Sequence, residues 1–363
     1  MSTMMNSSKS LKSDPGMAEF DLSSYANSSH ERGFINSAKV GISICVWNIA
    51  VNLVLIFFIL CFRRTRRQFV MIQITNIAVI DLLTSVLVDS LTIYYEFGQW
   101  KLGQTMCVVW LILDVMLPFA AFLGIMLLNF DRLIFAMRPS FYYTLFNHLP
   151  HRCIYLATPW VLSSIIIVPI WLFCEVPVNT FGLHFMCIYA LTERAMVASS
   201  VISLFLPCMA LIVLTVLVLV TVVSQMPTNL NEFSSVTFEE HRLSQRALRK
   251  RHYSIILALC IVSFCALVMQ LPFGTISLLQ PQCIDEPCTS VLELLQNLSW
   301  LRSATPGVRP IIWFLFTEIK FSCCCCVHAE SDSTTPEAVP MTSYTHQEAL
   351  TSVSNANGST IVT

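Results

Sequence analysis

Charged residues are scarce in this chain of 363 residues, because only 12% of them are Asp, Glu, Lys or Arg. A soluble domain normally carries about 25% charged residues. Since 55% of the chain is hydrophobic, the composition excludes an ordinary soluble domain. The net charge is −1, and this balance predicts no nucleic-acid partner.

Several kinds of chemistry also lack their sequence signature. No nucleophile–base pair and no metal-ligand spacing stands out, and the eight histidines do not cluster in the apolar stretches. These absences argue against an enzyme, a metal site and a cofactor. No internal repeat is present either, and because transporters often show internal repeats and broken helices, a transporter or channel is a weak alternative.

Seven apolar stretches are long enough to cross a bilayer as helices, which takes about 20 residues. We call them spans one to seven, and they cover 39–62, 69–95, 106–130, 153–174, 195–224, 253–279 and 291–316. The chain is therefore predicted to be an all-α membrane protein, a seven-transmembrane helix bundle in membrane lipid with a short amphipathic juxtamembrane helix. Its predicted parts are an N-terminal tail (1–38), a membrane domain (39–326) and a disordered cytoplasmic tail (327–363).

The positions of arginine predict the orientation, because Lys and Arg concentrate in short cytoplasmic loops. Span one is followed by RRTRR, span three by Arg138 and Arg152, and span five by RLSQRALRKR. The N-terminus is therefore expected outside the cell. Residues 1–38 contain no apolar core of a signal peptide, so span one is expected to act as the signal anchor. Sequons at Asn6 and Asn27 fit glycosylation of an outer tail, although sequons also arise by chance.

Two pairs of cysteines and one run lie at the ends of the spans or between them. Cys107, at the outer start of span three, and Cys187, in the second outer loop, face an oxidising compartment and fit a disulfide. Cys283 and Cys288 in QCIDEPC are close enough in sequence to bridge locally. A juxtamembrane run of cysteines fits S-palmitoylation, and an unmodified apolar anchor is the alternative. The run consists of Cys323, Cys324, Cys325 and Cys326.

Ionisable residues inside membrane helices are costly and usually functional. Those within the predicted spans or at their cytoplasmic ends are Asp81, Asp89, Asp114, Asp131, Arg132, Arg302 and Arg309. A polar group in span one, Asn52, fits the simpler role of hydrogen bonding between helices. The charged set therefore marks the candidate functional residues.

The order of these residues resembles the rhodopsin-like family of G-protein-coupled receptors over all seven spans. The resemblance rests on Asn52 in AVNLVLI, Asp81 in NIAVIDLL, Cys107, FDRLIF, Trp160, Pro207, Pro272 and Pro310 in RPIIW. It implies a plasma-membrane receptor that senses a small extracellular ligand and activates a heterotrimeric G protein. It also implies that Asp131 and Arg132, which resemble the DRY motif, form a two-state switch in which the acid holds the arginine at rest.

Span three is similar to the muscarinic and histamine receptors in GQWKLGQTMCVVWLILDV and FDRLIFAMRPSFYY. In those receptors an aspartate at the place of Asp114 binds the ammonium group of the ligand. The resemblance therefore implies a biogenic amine or another cation as the ligand. The serines of span five, Ser199 and Ser203, are ligand-binding candidates that also fit a packing role. The full set of further ligand-binding candidates is Val115, Ser199, Ser203, Phe273, Ser299, Trp300 and Ser303.

The sequence departs from the family pattern at several switch positions. Leu133 replaces the tyrosine of DRY, Gln270 the tryptophan of CWxP, and Trp313 the tyrosine of NPxxY. Arg309 replaces the asparagine of NPxxY, and His252 lies near a glutamate of many relatives. These departures support an alternative, an atypical seven-helix receptor that is constitutively active, a decoy or a partner subunit.

Arg309 lies where the family has an asparagine that helps an acid, here Asp81, to hold sodium. We predict an Asp81–Arg309 ion pair in place of the sodium ion. Arg302 precedes it by 309 − 302 = 7 residues on the same helix face, and it pairs with either Asp114 or Asp89. A free Asp114 suits a cationic ligand, whereas an Asp114 neutralised by Arg302 binds an amine poorly.

Overall fold

The membrane domain forms a helical bundle. The computed structural model describes residues 22–62, 68–96, 100–173, 175–176, 187, 190–191, 193–224, 239–279 and 289–317. Six helical segments have the length and composition to cross a membrane, namely Ala38–Cys61, Phe69–Glu96, Gly103–Met137, Leu149–Phe173, Arg194–Ser224 and His252–Leu278. They correspond to spans one to six.

Span seven is present as two shorter helices, Thr289–Ser303 and Thr305–Phe316. Pro306 lies in the first turn of the second helix, and its missing N–H prevents one regular helical hydrogen bond. The predicted seven-helix bundle is thereby confirmed. The predicted juxtamembrane helix lies outside the described residues.

The helices have the following bounds within the described residues. Those of spans one to four, with a connecting helix, are Leu22–Cys61, Phe69–Leu83, Ser90–Glu96, Gly103–Met137, Pro139–Asn147 and Leu149–Phe173. Those of spans five and six are Glu193–Ser200, Leu206–Ser224 and Glu239–Leu279. Two π-helical segments, Thr84–Asp89 and Val201–Phe205, interrupt spans two and five. Two short strands, β1 (Glu175–Val176) and β2 (Ala190–Leu191), pair in antiparallel orientation.

The segment after span three differs from the sequence-based expectation. Span three is predicted to end at residue 130 and span four to begin at 153, but the helix of span three continues to Met137 and a second helix covers Pro139–Asn147. Pro139 begins this helix, as proline often does, because its fixed φ suits the first helical position and its missing N–H costs nothing there.

Apolar side chains divide between the inside of the bundle and its membrane-facing surface. The main buried cluster includes Leu55, Met71, Ile74, Phe122, Leu259 and Trp313. Each span also exposes large apolar side chains, for example Phe57, Val86, Val109, Ile165, Val220, Phe264 and Leu315. Exposed apolar surface around the whole bundle suits a hydrocarbon environment, so the chain is a multi-pass membrane protein.

Spans one and seven approach each other closely at Gly307. A Cβ atom at this position would collide with the amide oxygen of Asn48. The closeness lets Asn48 donate to the backbone oxygen of Ser303 (2.7 Å) and Asn52 to that of Pro306 (3.0 Å). These two bonds attach the interrupted region of span seven to span one.

Candidate functional site

A charged cavity lies between spans two, three, six and seven. Its lining consists of Asp81, Thr84, Val88, Asp89, Asp114, Pro118, Gln270, Arg302, Ser303, Pro306 and Arg309. The cavity is small, since the volume open to the centre of a water-sized sphere is about 20 Å³. Such a concentration of charge inside a membrane bundle is costly and marks a functional site.

The deepest charges in this cavity are Asp81 of span two and Arg309 of span seven. They form an ion pair between Arg309 Nη1 and Asp81 Oδ1, and their side chains are only 3% and 2% exposed. Asp81 Oδ2 and Arg309 Nε have no hydrogen-bond partner among the described residues. Each charge therefore depends on the other, because a lone charge in such a site is strongly unfavourable.

A second ion pair of the cavity joins Arg302 Nη2 of span seven to Asp114 Oδ1 of span three. These side chains are 17% and 25% exposed, so solvent screens this pair more than the deep pair. The Arg302 guanidinium also lies 4.6 Å from the centre of the Phe273 ring, within the range of a cation–π interaction. The sequence leaves Asp89 and Asp114 open as partners of Arg302, and in the structure Arg302 pairs with Asp114.

The third acid of the cavity, Asp89, is buried and has no arginine partner among the described residues. Its Oδ2 accepts a hydrogen bond from Asn48 Nδ2 at 3.3 Å. It is the last residue of the π-helical segment Thr84–Asp89, and π-helical turns are frequent at functional sites. Within the described residues the two arginines of the cavity pair with Asp81 and Asp114, so Asp89 is the acid that has no arginine partner.

The C-terminal end of span three holds a buried Asp131–Arg132 pair. Arg132 Nε donates to Asp131 Oδ2 at 2.9 Å, and Gln73 Nε2 donates to Asp131 Oδ1 at 3.2 Å. Arg132 Nη2 donates to the Tyr142 hydroxyl at 3.1 Å. The guanidinium carbon lies 5.2 Å and 5.6 Å from the ring centres of Phe135 and Tyr142. Arg132 is thus held from several directions.

Tyr142 lies in the helix between spans three and four and contributes its hydroxyl to this cluster. Burial, and then the negative charge of Asp131, raise the pKa of Tyr142 above its usual range. The hydroxyl therefore stays protonated and neutral beside the Asp131–Arg132 pair.

The structure separates the predicted ligand-binding residues into groups. Asp114 and Ser303 line the cavity, and Phe273 lies under the Arg302 guanidinium. Val115 and Ser203 are half-buried and Ser199 is buried. None of these last three is among the residues that line the cavity within the described chain.

Two further candidates in span seven make contacts within the bundle. The Ser299 hydroxyl donates to the backbone oxygen of Gln296 in its own helix at 2.8 Å. Trp300 is buried with Cys45 of span one and Ile93 of span two, so its ring is part of a packing cluster and not of the cavity lining.

Three residues that hold the charged groups escaped the sequence analysis: Asn48, Gln73 and Tyr142. Asn48 and Asn52 are four residues apart and share a helix face, which is a signal that one polar face of span one meets another span. Gln73 is a lone amide in the apolar run FVMIQI. Tyr142 gave no signal, because it lies between the predicted spans three and four.

The predicted disulfide between Cys107 and Cys187 is present and attaches Cys187, which lies between spans four and five, to span three. Other predicted modification sites, namely Asn6, Cys283, Cys288 and Cys323 to Cys326, lie outside the described residues. Asn27 falls within the helix that begins at Leu22.

Comparisons with known proteins agree with this arrangement. The family model described as 7 transmembrane receptor (rhodopsin family) matches residues 51–313. The chain is similar to 5-hydroxytryptamine receptor 1 of Aplysia californica, with 32% identity over 101 residues that cover 27% of this chain and 22% of that receptor. It is also similar to 5-hydroxytryptamine receptor 1B of Felis catus, with 28% identity over 171 residues that cover 43% of each chain. The chain thus matches less than half the length of either receptor.

Proposed function

The chain belongs to the rhodopsin family of seven-transmembrane receptors, and we propose that it senses a small extracellular ligand and activates a heterotrimeric G protein. It is a multi-pass protein of the plasma membrane. The arginine-rich loops after spans one, three and five support an orientation with the N-terminus outside. The Cys107–Cys187 disulfide also fits an outer end of span three, because disulfides persist in an oxidising compartment.

The observation that carries this proposal is the buried Arg132, held by Asp131 at the inner end of span three. The same helix carries Asp114 at the cavity, 132 − 114 = 18 residues earlier, which is about 27 Å along the helix axis. A ligand that binds two arrangements of span three with different affinity shifts the equilibrium between them. Arg132 is the group that such a shift would release toward a G protein.

We propose a biogenic amine or another monocation as the ligand. The cavity holds three acids, Asp81, Asp89 and Asp114, against the two arginines Arg302 and Arg309. A ligand with one positive charge makes the numbers of positive and negative charges in the cavity equal. Buried charges need partners of opposite sign. The two related receptors carry 5-hydroxytryptamine, an amine, in their names. Because Arg302 already contacts Asp114, an amine has to compete with it.

The alternative of a receptor without G-protein coupling gains little support from the cytoplasmic end. A chain that no longer couples has no need of a buried arginine there, because an unsupported buried charge is costly. Yet Arg132 keeps an acid, a tyrosine hydroxyl and two aromatic rings as partners. A constitutively active receptor remains compatible with the same contacts.

An amine-library screen with a G-protein activation readout tests the proposal on wild type and Asp114→Asn in parallel. Loss of a close charged partner costs about 2–5 kcal/mol, so Asp114→Asn is expected to lower the potency of an active amine by at least about 30-fold. Glu96→Gln is the control, since it neutralises another buried acid that bonds Gln296 outside the cavity. Equal responses of wild type and Asp114→Asn would contradict the assignment of Asp114.

Sodium is expected to have no specific effect on this receptor, because we propose that Arg309 takes the place of a sodium ion beside Asp81. The melting temperature of the purified receptor should be the same in sodium chloride and in potassium chloride at equal ionic strength. In Arg309→Asn the carboxylate of Asp81 becomes available, and sodium should then raise the melting temperature relative to potassium. A sodium-specific shift in the wild type as large as in Arg309→Asn would rule out the substitution.

A further inference from the structure

Arg302 makes the two contacts with which a protein commonly holds an ammonium group. Its guanidinium is paired with the carboxylate of Asp114 and lies 4.6 Å from the centre of the Phe273 ring. A carboxylate and an aromatic face together attract a monocation through its charge and the ring quadrupole. The proposed site for a ligand cation is therefore filled by a side chain of the receptor itself.

The Arg302–Asp114 pair is the weaker of the two ion pairs in the cavity. Its side chains are 17% and 25% exposed, against 3% and 2% for Arg309 and Asp81. Partly exposed pairs are screened and contribute less than buried ones. Arg302 also lies in the last turn of its helix, directly before the interruption of span seven at Ala304. These features favour movement of Arg302 over movement of Arg309.

Asp89 offers a second carboxylate for the Arg302 guanidinium. Asp89, Asp114 and Arg302 line the same cavity. Asp89 has a hydrogen bond from Asn48 at 3.3 Å but no arginine among the described residues. A buried carboxylate without a cation is unfavourable, so Asp89 attracts any cation that Asp114 releases.

We propose that Arg302 is a displaceable internal counter-ion that moves from Asp114 to Asp89 when a monocation binds. The ligand cation then occupies the place of the guanidinium between Asp114 and Phe273. Each acid of the cavity ends with one cation: Asp81 with Arg309, Asp89 with Arg302, and Asp114 with the ligand. This inference rests on the proposed function, and it names the ligand class as a monocation whose charged group is small enough to replace a guanidinium.

The exchange makes Asp89 a positioning residue that the ligand never touches. When Asp89 cannot accept Arg302, the guanidinium stays on Asp114 and competes with the ligand. When Arg302 is removed, Asp114 is vacant and its cation no longer depends on the transfer of a guanidinium to Asp89. The exchange also moves a contact of span seven from span three to span two, so binding alters how these helices are attached to one another.

The test uses methylguanidinium, which carries the charged group of Arg302, and the melting temperature of the purified full-length receptor. Potassium chloride at equal ionic strength is the reference, because a cation that binds only the folded state raises the melting temperature. Arg302→Ala is expected to show a saturable rise, with half-maximal concentration at least about tenfold lower than in wild type. Arg302→Gln is a second variant with the same expectation and retains more side-chain volume.

The Asp89→Asn substitution, made in two backgrounds, separates the exchange from direct binding. It should abolish the methylguanidinium response in the wild type and leave the response of Arg302→Ala unchanged. Asp114→Asn should abolish the response in both backgrounds. Equal responses of wild type and Arg302→Ala, or an equal loss from Asp89→Asn in both backgrounds, would overturn the proposal.

Failure of this inference is distinguishable from failure of the proposed function. The melting temperature reports cation exchange whether or not a G protein responds. One outcome is a receptor that activates a G protein through an amine at Asp114 while Asp89→Asn changes neither the amine response nor the methylguanidinium response. That result would support the proposed function and contradict the transfer of Arg302 from Asp114 to Asp89.

Discussion

Replacing Asp81 by Asn is expected to lower the free energy of unfolding by about 3–5 kcal/mol, because it leaves the Arg309 guanidinium buried without a counter-charge. Both side chains are nearly inaccessible to solvent, so water cannot replace the lost partner. The loss should appear as a lower melting temperature of the purified receptor and as reduced surface expression.

Asp114→Asn is the matched control for this prediction, because it removes the acid from the other ion pair of the cavity. That pair is partly exposed, so water screens the charge that remains and the loss should be smaller than at the deep pair. The melting temperature of Asp114→Asn should therefore stay closer to that of wild type than the melting temperature of Asp81→Asn does. Equal losses in the two variants would mean that Asp81 and Arg309 do not depend on each other. The double variant Asp81→Asn with Arg309→Gln should recover part of the lost stability.

Replacing Asp131 by Asn is expected to raise ligand-free G-protein activation. Arg132 is buried and its Nε donates to Asp131 Oδ2 at 2.9 Å, whereas a neutral amide holds a guanidinium much less firmly. Hydrogen bonds to charged groups contribute about 1.5–3 kcal/mol, so the resting arrangement should lose at least about tenfold in relative population. The measurement is nucleotide exchange on a purified G protein without added ligand.

The added substitution Arg132→Ala controls the Asp131→Asn result. If activation depends on release of Arg132, the double variant should show no increase over the receptor-free rate. An increase that persists without Arg132 would show that Asp131 restrains activation by another route. Wild-type exchange rates in the single Asp131→Asn variant would show that this acid does not hold the resting state.

The positions of the spans could be predicted from apolar runs, because about 20 apolar residues suffice to specify a membrane helix. The division of span seven was harder to predict. Its composition is apolar enough for one helix, but Pro306 removes a backbone donor and spans one and seven approach closely at Gly307. The contacts that compensate come from Asn48 and Asn52, which lie more than 250 residues away in sequence.

The partner of Arg302 could not be chosen from the sequence. Asp89 and Asp114 lie on different spans, and which carboxylate reaches Arg302 depends on how each helix is rotated. The π-helical segment Thr84–Asp89 changes the rotation of the C-terminal part of span two and leaves no periodic signal. The helix over Pro139–Asn147 was likewise missed, and with it the contact between Tyr142 and Arg132.

Nucleotide exchange on purified heterotrimeric G proteins, catalysed by the receptor in lipid bilayers, tests most directly whether this chain signals through Arg132. Wild type, with and without the amine library, is compared with Arg132→Ala, and the exposed Arg138→Ala at the same end of span three is the control. The account predicts exchange above the receptor-free rate for wild type and Arg138→Ala, and exchange at that rate for Arg132→Ala. Equal exchange by wild type and Arg132→Ala under every condition would contradict it.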